Sequence, residues 1–186
     1  MIRKVVNDPS LSAQQKWDTL WTTKTTPWDR NTHSPALEEL LQDKKFPLPH
    51  PGRPLRALVP GCGRGYDVVL LASLTGDGGN RVMQRVVGLD VSPTAVEEAR
   101  TRFEREIGEG GNIVFLTGDF FADEDEWAKM GPYDVVYDYT VSTPFASLPL
   151  FVSLSPRFCI FAFMSVLMCF LVRWLKVSSS ALFLPQ

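Results

Sequence analysis

Apolar and polar positions follow two different rhythms along the chain. Between residues 12 and 46 the apolar positions recur every three or four residues. In SAQQKWDTLWTT, Trp17, Leu20 and Trp21 share one stripe, which predicts an amphipathic helix. The turn-rich TTPWDRNTHSP follows. SPALEELLQDKKF then predicts a second helix, with Ser34 at the N-cap, Pro35 in the first helical position and Glu38 early in the helix. Four prolines in FPLPHPGRP make a stiff linker.

From residue 55 short apolar runs alternate with helical patterns. LRALV (55–59) reads as a buried strand, and a helix through YDVVLLASL follows it. RVVGLDV (85–91) is a second strand. Ser92-Pro93 opens a helix whose Ala95, Val96, Ala99, Phe103 and Ile107 fall on one face, and Gly108 stops it. NIVFLTGDFF (112–121) supplies a third strand and YDVVYDYT (133–140) a fourth. Strands alternating with helices argue for βαβ units and a parallel sheet, an α/β fold.

After Thr140 this rhythm ends, and the composition changes with it. All 21 acidic residues lie at or before Asp138, and only Arg157, Arg173 and Lys176 carry charge beyond it. The run from Phe158 to Val172 is uncharged but shorter than the ~20 residues a spanning helix needs. Membrane contact through 158–172 is therefore an alternative and not the favoured reading. Three regions are expected: a helical lid and linker (1–54), an α/β half-domain (55–140) and an apolar tail (141–186). Val141-Ser142 is also what an intron start reading GT(A/G)AGT encodes in frame, so the tail fits translated non-coding sequence.

The remaining composition narrows the chemistry. A net charge of −2 gives no basis for a nucleic-acid surface. Three cysteines without a CxxC pair or a histidine cluster imply neither a disulfide framework nor a metal site. The N-terminus lacks the apolar stretch of a signal peptide, so a cytoplasmic location is expected.

The candidate chemistry centres on RALVPGCGRGYD (56–67). Gly61, Gly63 and Gly65 alternate. Tyr66 stands where a dinucleotide fingerprint needs its third glycine, and the Lys-Ser/Thr of a P-loop is absent. Such a loop lets backbone approach a ligand closely. Alone it fits a tight strand–helix turn equally well. Three further strand ends add to it. Asp90 is placed to accept from a ribose diol. Asp119 and Phe120 can meet an exocyclic amine and cover a base. Asp138-Tyr139 closes the fourth strand.

In order and spacing, Trp17-x-x-x-Trp21, TPWD (26–29), LVPGCGRGYD (58–67), VVGLDVSPTAVEEA (86–99), GDFF (118–121) and YDVVYDYT (133–140) resemble a class I S-adenosylmethionine-dependent methyltransferase. More narrowly, they resemble the thiopurine S-methyltransferase family in its thiol and halide methyltransferase branch. The resemblance covers residues 12 to 140. It implies a Rossmann-like fold, here truncated after the fourth strand, with S-adenosyl-L-methionine as cofactor. It also implies a monomer and a small acceptor: a thiol, a halide or thiocyanate. By this resemblance Trp17, Trp21 and Trp28 form a lid, though Trp17 and Trp21 fit core packing equally well. Gly61 and Gly63 approach the methionine part, Asp90 the ribose, and Asp119 and Phe120 the adenine. Tyr139 lies near the methyl, and no residue is assigned as catalytic. A soft anionic acceptor needs little general-base help, so His33 and His50 receive no role. Cys62 reads as a small buried residue. With a truncated sheet, weak turnover is expected. The alternatives are a non-catalytic cofactor-binding remnant or a membrane-tethered product.

Overall fold

The computed structural model describes residues 1–42, 53–76, 78–108, 111–122 and 126–139, together with the backbone of 150–155 and 158–162. Its elements in chain order are α1 (Ile2–Val6), α2 (Ala13–Thr22), α3 (Pro35–Gln42), β1 (Leu55–Pro60), α4 (Tyr66–Ala72), β2 (Met83–Asp90), α5 (Pro93–Arg102), α6 (Glu104–Ile107), β3 (Ile113–Thr117), α7 (Glu126–Lys129), β4 (Val135–Asp138), β5 (Leu150–Ser155) and β6 (Phe158–Ala162).

The four strands expected from the sequence form one parallel set in the order β3-β2-β1-β4. Their apolar side chains alternate between two faces, as the strand period requires. Ala57, Val59, Val86, Phe115, Val135 and Tyr137 pack with Leu37, Val68, Leu71 and Ala99 of the helices on one face. Leu58, Val87, Leu89 and Leu116 pack under Phe120, Trp127 and Tyr133 on the other. Burial on both faces is why these strands read as near-continuous apolar runs.

The sequence leaves β4 as an open edge. In the structure the backbone of β6 pairs parallel with it, Val135 to Asp138 against Cys159 to Ala162, and β5 pairs antiparallel with β6. Most of the 158–172 run lies outside the described residues, as does most of the linker FPLPHPGRP (46–54). Among the described residues no helix is long and apolar enough to cross a membrane.

Ser12 closes a capping box on α2: Gln15 N donates to Ser12 Oγ at 3.2 Å, and Ser12 N donates to Gln15 Oε1 at 2.8 Å. Ser92 Oγ caps α5 by accepting from Ala95 N at 3.2 Å. Two expectations need correction. The helix expected to run unbroken to Ile107 is interrupted at Phe103, whose φ of −112° and ψ of 30° separate α5 from the one-turn α6. The Phe103 ring meets Tyr66 edge-on at 5.6 Å, a tertiary contact that the periodicity does not encode. Ser34 stands where α3 starts, but its Oγ makes no capping bond.

Candidate functional site

The C-terminal ends of β1, β2, β3 and β4 and the segment carrying α2 enclose a cavity of about 460 Å³. Ligands of open α/β sheets bind at this end, outside the strand termini, because the loops there diverge. All nine residues singled out from the sequence line it: Trp17, Trp21, Trp28, Gly61, Gly63, Asp90, Asp119, Phe120 and Tyr139.

The glycine loop forms the floor. Gly61, Gly63 and Gly65 have φ of 59°, 52° and 80°, the left-handed region that disfavours a Cβ. A Cβ on Gly63 would stand 3.2 Å from Trp21 Cζ2, and one on Gly65 would stand 2.4 Å from Phe115 Cζ. The loop is thus wedged between the α2 tryptophan and the sheet.

Asp90 at the end of β2 is 8% exposed. Its Oδ2 accepts from Gly63 N at 2.9 Å and its Oδ1 from Ser92 N at 2.9 Å. The same carboxylate therefore ties the loop to the sheet and faces the cavity. Burial pushes its carboxyl above the usual range, while the Ser92 and Gly63 donors pull it partly back. A carboxylate offers about four lone-pair directions, so it can hold the loop and still accept from a ligand. At the third strand end, Asp119 Oδ1 accepts from Phe121 N at 2.9 Å. Phe120 packs on Trp127 with ring centroids 5.2 Å apart and is largely core.

The tryptophans divide in role. Trp21 is buried under the loop and serves as both core and wall. Trp17 is 43% exposed and meets Trp28 edge-on at 5.5 Å, so core packing does not describe it. Tyr139 stacks on Tyr137 at 6.5 Å and stands exposed at the mouth, as does Phe121.

Sequence reasoning missed several residues. Arg64, inside the loop, donates from Nε to Glu98 Oε2 at 2.8 Å and from Nη1 to Asn31 Oδ1 at 2.6 Å. It pairs with Asp29 and lies 5.5 Å from the Trp21 ring centroid. One guanidinium thereby joins the glycine loop, α5 and the 28–31 turn. Its fork of five donors is what permits several partners at once. Asp18 Oδ1 accepts from Ser92 Oγ at 2.7 Å and from Thr94 N at 3.0 Å, docking α2 on the start of α5. Its position between two tryptophans was the only available signal. Ser34, Asp67 and Tyr137 also line the cavity. Cys62 is there too. Burial, with the nearby Asp90 charge, pushes its thiol well above the ordinary value, which keeps it protonated and poorly nucleophilic. Among the described residues no cluster of His, Cys, Asp and Glu could hold a metal.

Comparison with known proteins gives this geometry a lineage. The profile of a family described as thiopurine S-methyltransferase matches residues 12–144. "Probable thiol methyltransferase 2" of Arabidopsis thaliana is 36% identical over 124 residues, 67% of this chain and 46% of that protein. "Thiocyanate methyltransferase 1" of Brassica oleracea is 32% identical over 133 residues, 72% of this chain and 50% of that protein. The chain thus spans about half the length of these relatives. A solved structure from work on conversion of a disulfide bond into a thioacetal group during echinomycin biosynthesis is similar with a TM-score of 0.52. The two are 26% identical, over 70% of this chain and 47% of that one.

Proposed function

The chain belongs to the thiopurine S-methyltransferase family, and from that premise we propose that its cavity binds S-adenosylmethionine and directs methyl transfer to a small soft nucleophile, a thiol, thiocyanate or halide. The observation that carries the reading is convergence. Nine residues spread over more than a hundred positions of sequence line one cavity at the strand ends. Relatives named for thiol and thiocyanate methylation support the acceptor class.

The residues fit the cofactor. Gly61 and Gly63 present backbone without side chains, and a Cβ at Gly63 would press on Trp21. Asp90 retains acceptor capacity for ribose hydroxyls. Asp119 and Phe120 would flank the adenine. Trp17, Trp21 and Trp28 turn aromatic surface toward the cavity, and such faces attract a cationic centre. When bound, S-adenosylmethionine supplies an activated methyl on a sulfonium, open to in-line displacement.

What the chain contributes is placement and a dry surface. Positioning two reactants accounts for much of the acceleration in such a displacement. The aromatic rim of Trp17, Trp28, Phe121 and Tyr139 limits water at the mouth. Burial pushes the Tyr137 hydroxyl far above its ordinary value, so it stays protonated and acts as a neutral donor. An acceptor that is already anionic requires no base from the protein. The test pairs two measurements on one preparation of the full chain: calorimetric titration with S-adenosylhomocysteine, and labelled methyl transfer to hydrosulfide, thiocyanate and iodide. Binding with transfer supports the proposal in full. Binding without transfer restricts it to the cofactor, and absence of both overturns it.

A further inference from the structure

One corner of the cavity carries polar groups that the loop, the lid and the strand ends leave unused. Ser34 is 8% exposed and Tyr137 2% exposed, and neither Ser34 Oγ nor the Tyr137 hydroxyl has a hydrogen-bond partner. Both residues line the cavity. The Ser34 hydroxyl lies close enough to act on the Tyr137 hydroxyl as a hydrogen-bonding group, short of a well-formed bond, and Asp67 acts on it too, so the three are neighbours. Asp67, in the first turn of α4, accepts from Ser34 N at 2.7 Å through Oδ1. Burial raises its carboxyl above the ordinary range despite that bond and the nearby His33.

Buried hydroxyls without partners are destabilising, and native chains tolerate them mainly where something else supplies the bond. A lone anion in this corner would satisfy the two hydroxyls but meet the Asp67 charge. A lone cation would suit Asp67 and leave the hydroxyls unpaired. A zwitterion satisfies both. Resting on the cofactor reading above, we propose that Asp67, Ser34 and Tyr137 clamp the α-amino acid head of the cofactor, Asp67 receiving the ammonium and the two hydroxyls donating to the carboxylate. The corner then selects for the aminoacyl part of the ligand and not for its nucleoside.

The experiment compares S-adenosylhomocysteine with 5′-methylthioadenosine, a nucleoside thioether that lacks the amino acid head. Both are titrated calorimetrically into the full chain and its variants. Wild type binds S-adenosylhomocysteine the tighter. Asp67→Asn weakens S-adenosylhomocysteine by roughly ten- to thirtyfold, the scale of one lost charge-assisted bond, and leaves methylthioadenosine within about twofold. Tyr137→Phe and Ser34→Ala each weaken S-adenosylhomocysteine by about three- to tenfold, again without affecting methylthioadenosine. Tyr137→Phe also supplies a readout that a structural role would not. Removing an unpaired buried hydroxyl leaves the ligand-free melting temperature unchanged or higher while shrinking the rise that S-adenosylhomocysteine produces. Equal losses for both ligands would overturn the clamp, as would unchanged S-adenosylhomocysteine affinity in Tyr137→Phe, the outcome if the hydroxyls serve an acceptor anion. Free methionine is the control and should bind far more weakly than S-adenosylhomocysteine; equally tight binding would overturn the cofactor reading on which the clamp rests. If wild type binds neither nucleoside, the cofactor reading itself has failed.

Discussion

Gly88→Ala tests how the glycine loop is seated. Gly88 lies in β2, opposite Val59 of β1 and Phe115 of β3. It needs no left-handed φ, so alanine adds no backbone strain there. Its Cβ would nevertheless stand 2.7 Å from Phe115 Cδ1 and 2.9 Å from Val68 Cγ2. The same ring fills the space beside Gly65, 2.4 Å from where a Cβ would be. Phe115 is therefore held between two glycines, one in the sheet and one in the glycine loop. Overpacking costs about 1–3 kcal/mol, and the lower chain entropy of alanine returns about 0.4–1 kcal/mol. A net loss of roughly 1–2 kcal/mol follows. Gly65→Ala adds about 1–2 kcal/mol of left-handed strain to the same overpacking. Gly79→Ala is the control, because at φ 78° with nothing within 4 Å of its Cβ it bears the strain alone. Urea melts of the three variants, each repeated with Phe115→Leu, give the coupling. Phe115→Leu should relieve Gly88→Ala and Gly65→Ala by about 1 kcal/mol each and leave Gly79→Ala unrelieved. Gly65→Ala should also weaken S-adenosylhomocysteine more than Gly79→Ala does. If Gly65→Ala costs no more than Gly79→Ala, or Phe115→Leu relieves neither clash, the wedge is wrong.

Three more outcomes follow from named contacts. Arg64→Ala removes the guanidinium that links Glu98, Asp29 and Asn31, and should both expose the 28–31 turn to limited proteolysis and weaken S-adenosylhomocysteine about tenfold; Arg64→Lys, which keeps the charge without the fork, should fall between. Asp18→Ala deprives Ser92 Oγ and Thr94 N of their acceptor and should lower stability by about 1–2 kcal/mol in urea melts, undocking α2 from α5. For Asp134, burial pushes the carboxyl up, but Arg53 and the Arg56 N–H outweigh it and hold it below its ordinary value of 3.8. A lowered folded pKa means stability that is present above pH 3.8 and lost as pH falls through the folded value. Asp134→Asn should therefore lower the urea midpoint at neutral pH and flatten its acid limb. A variant with an unaltered acid limb would show that Asp134 does not carry it.

The alternation of β1, α4, β2, α5 and β3 was readable because each strand is apolar on both faces, α4 starts directly after the glycine loop and α5 has its Ser92 cap. α7 was not readable, since four residues span barely one turn and give no period. Phe103 sits on the correct helical stripe, and only its contact with Tyr66 reveals the break. Strand-end residues of the site were legible because topology forces parallel strands to deliver their C-termini to one edge. The partners of Arg64 were not, since Asp29, Asn31 and Glu98 lie 33 to 35 positions away and meet it only after α2 docks. Ser34 looked like a helix cap, and its unbonded Oγ in the cavity wall emerges only from three dimensions. Gly88 looked like an ordinary strand residue until Phe115 was placed against it.

The central claim is that this cavity binds the methyl donor through the glycine loop and Asp90. The most direct measurement is calorimetric titration of the full chain with S-adenosylhomocysteine, beside the Asp90→Ala variant. The account predicts saturable one-to-one binding by wild type and a loss of at least about tenfold in Asp90→Ala. No binding by a folded wild-type chain, or equal affinity in the variant, would contradict it.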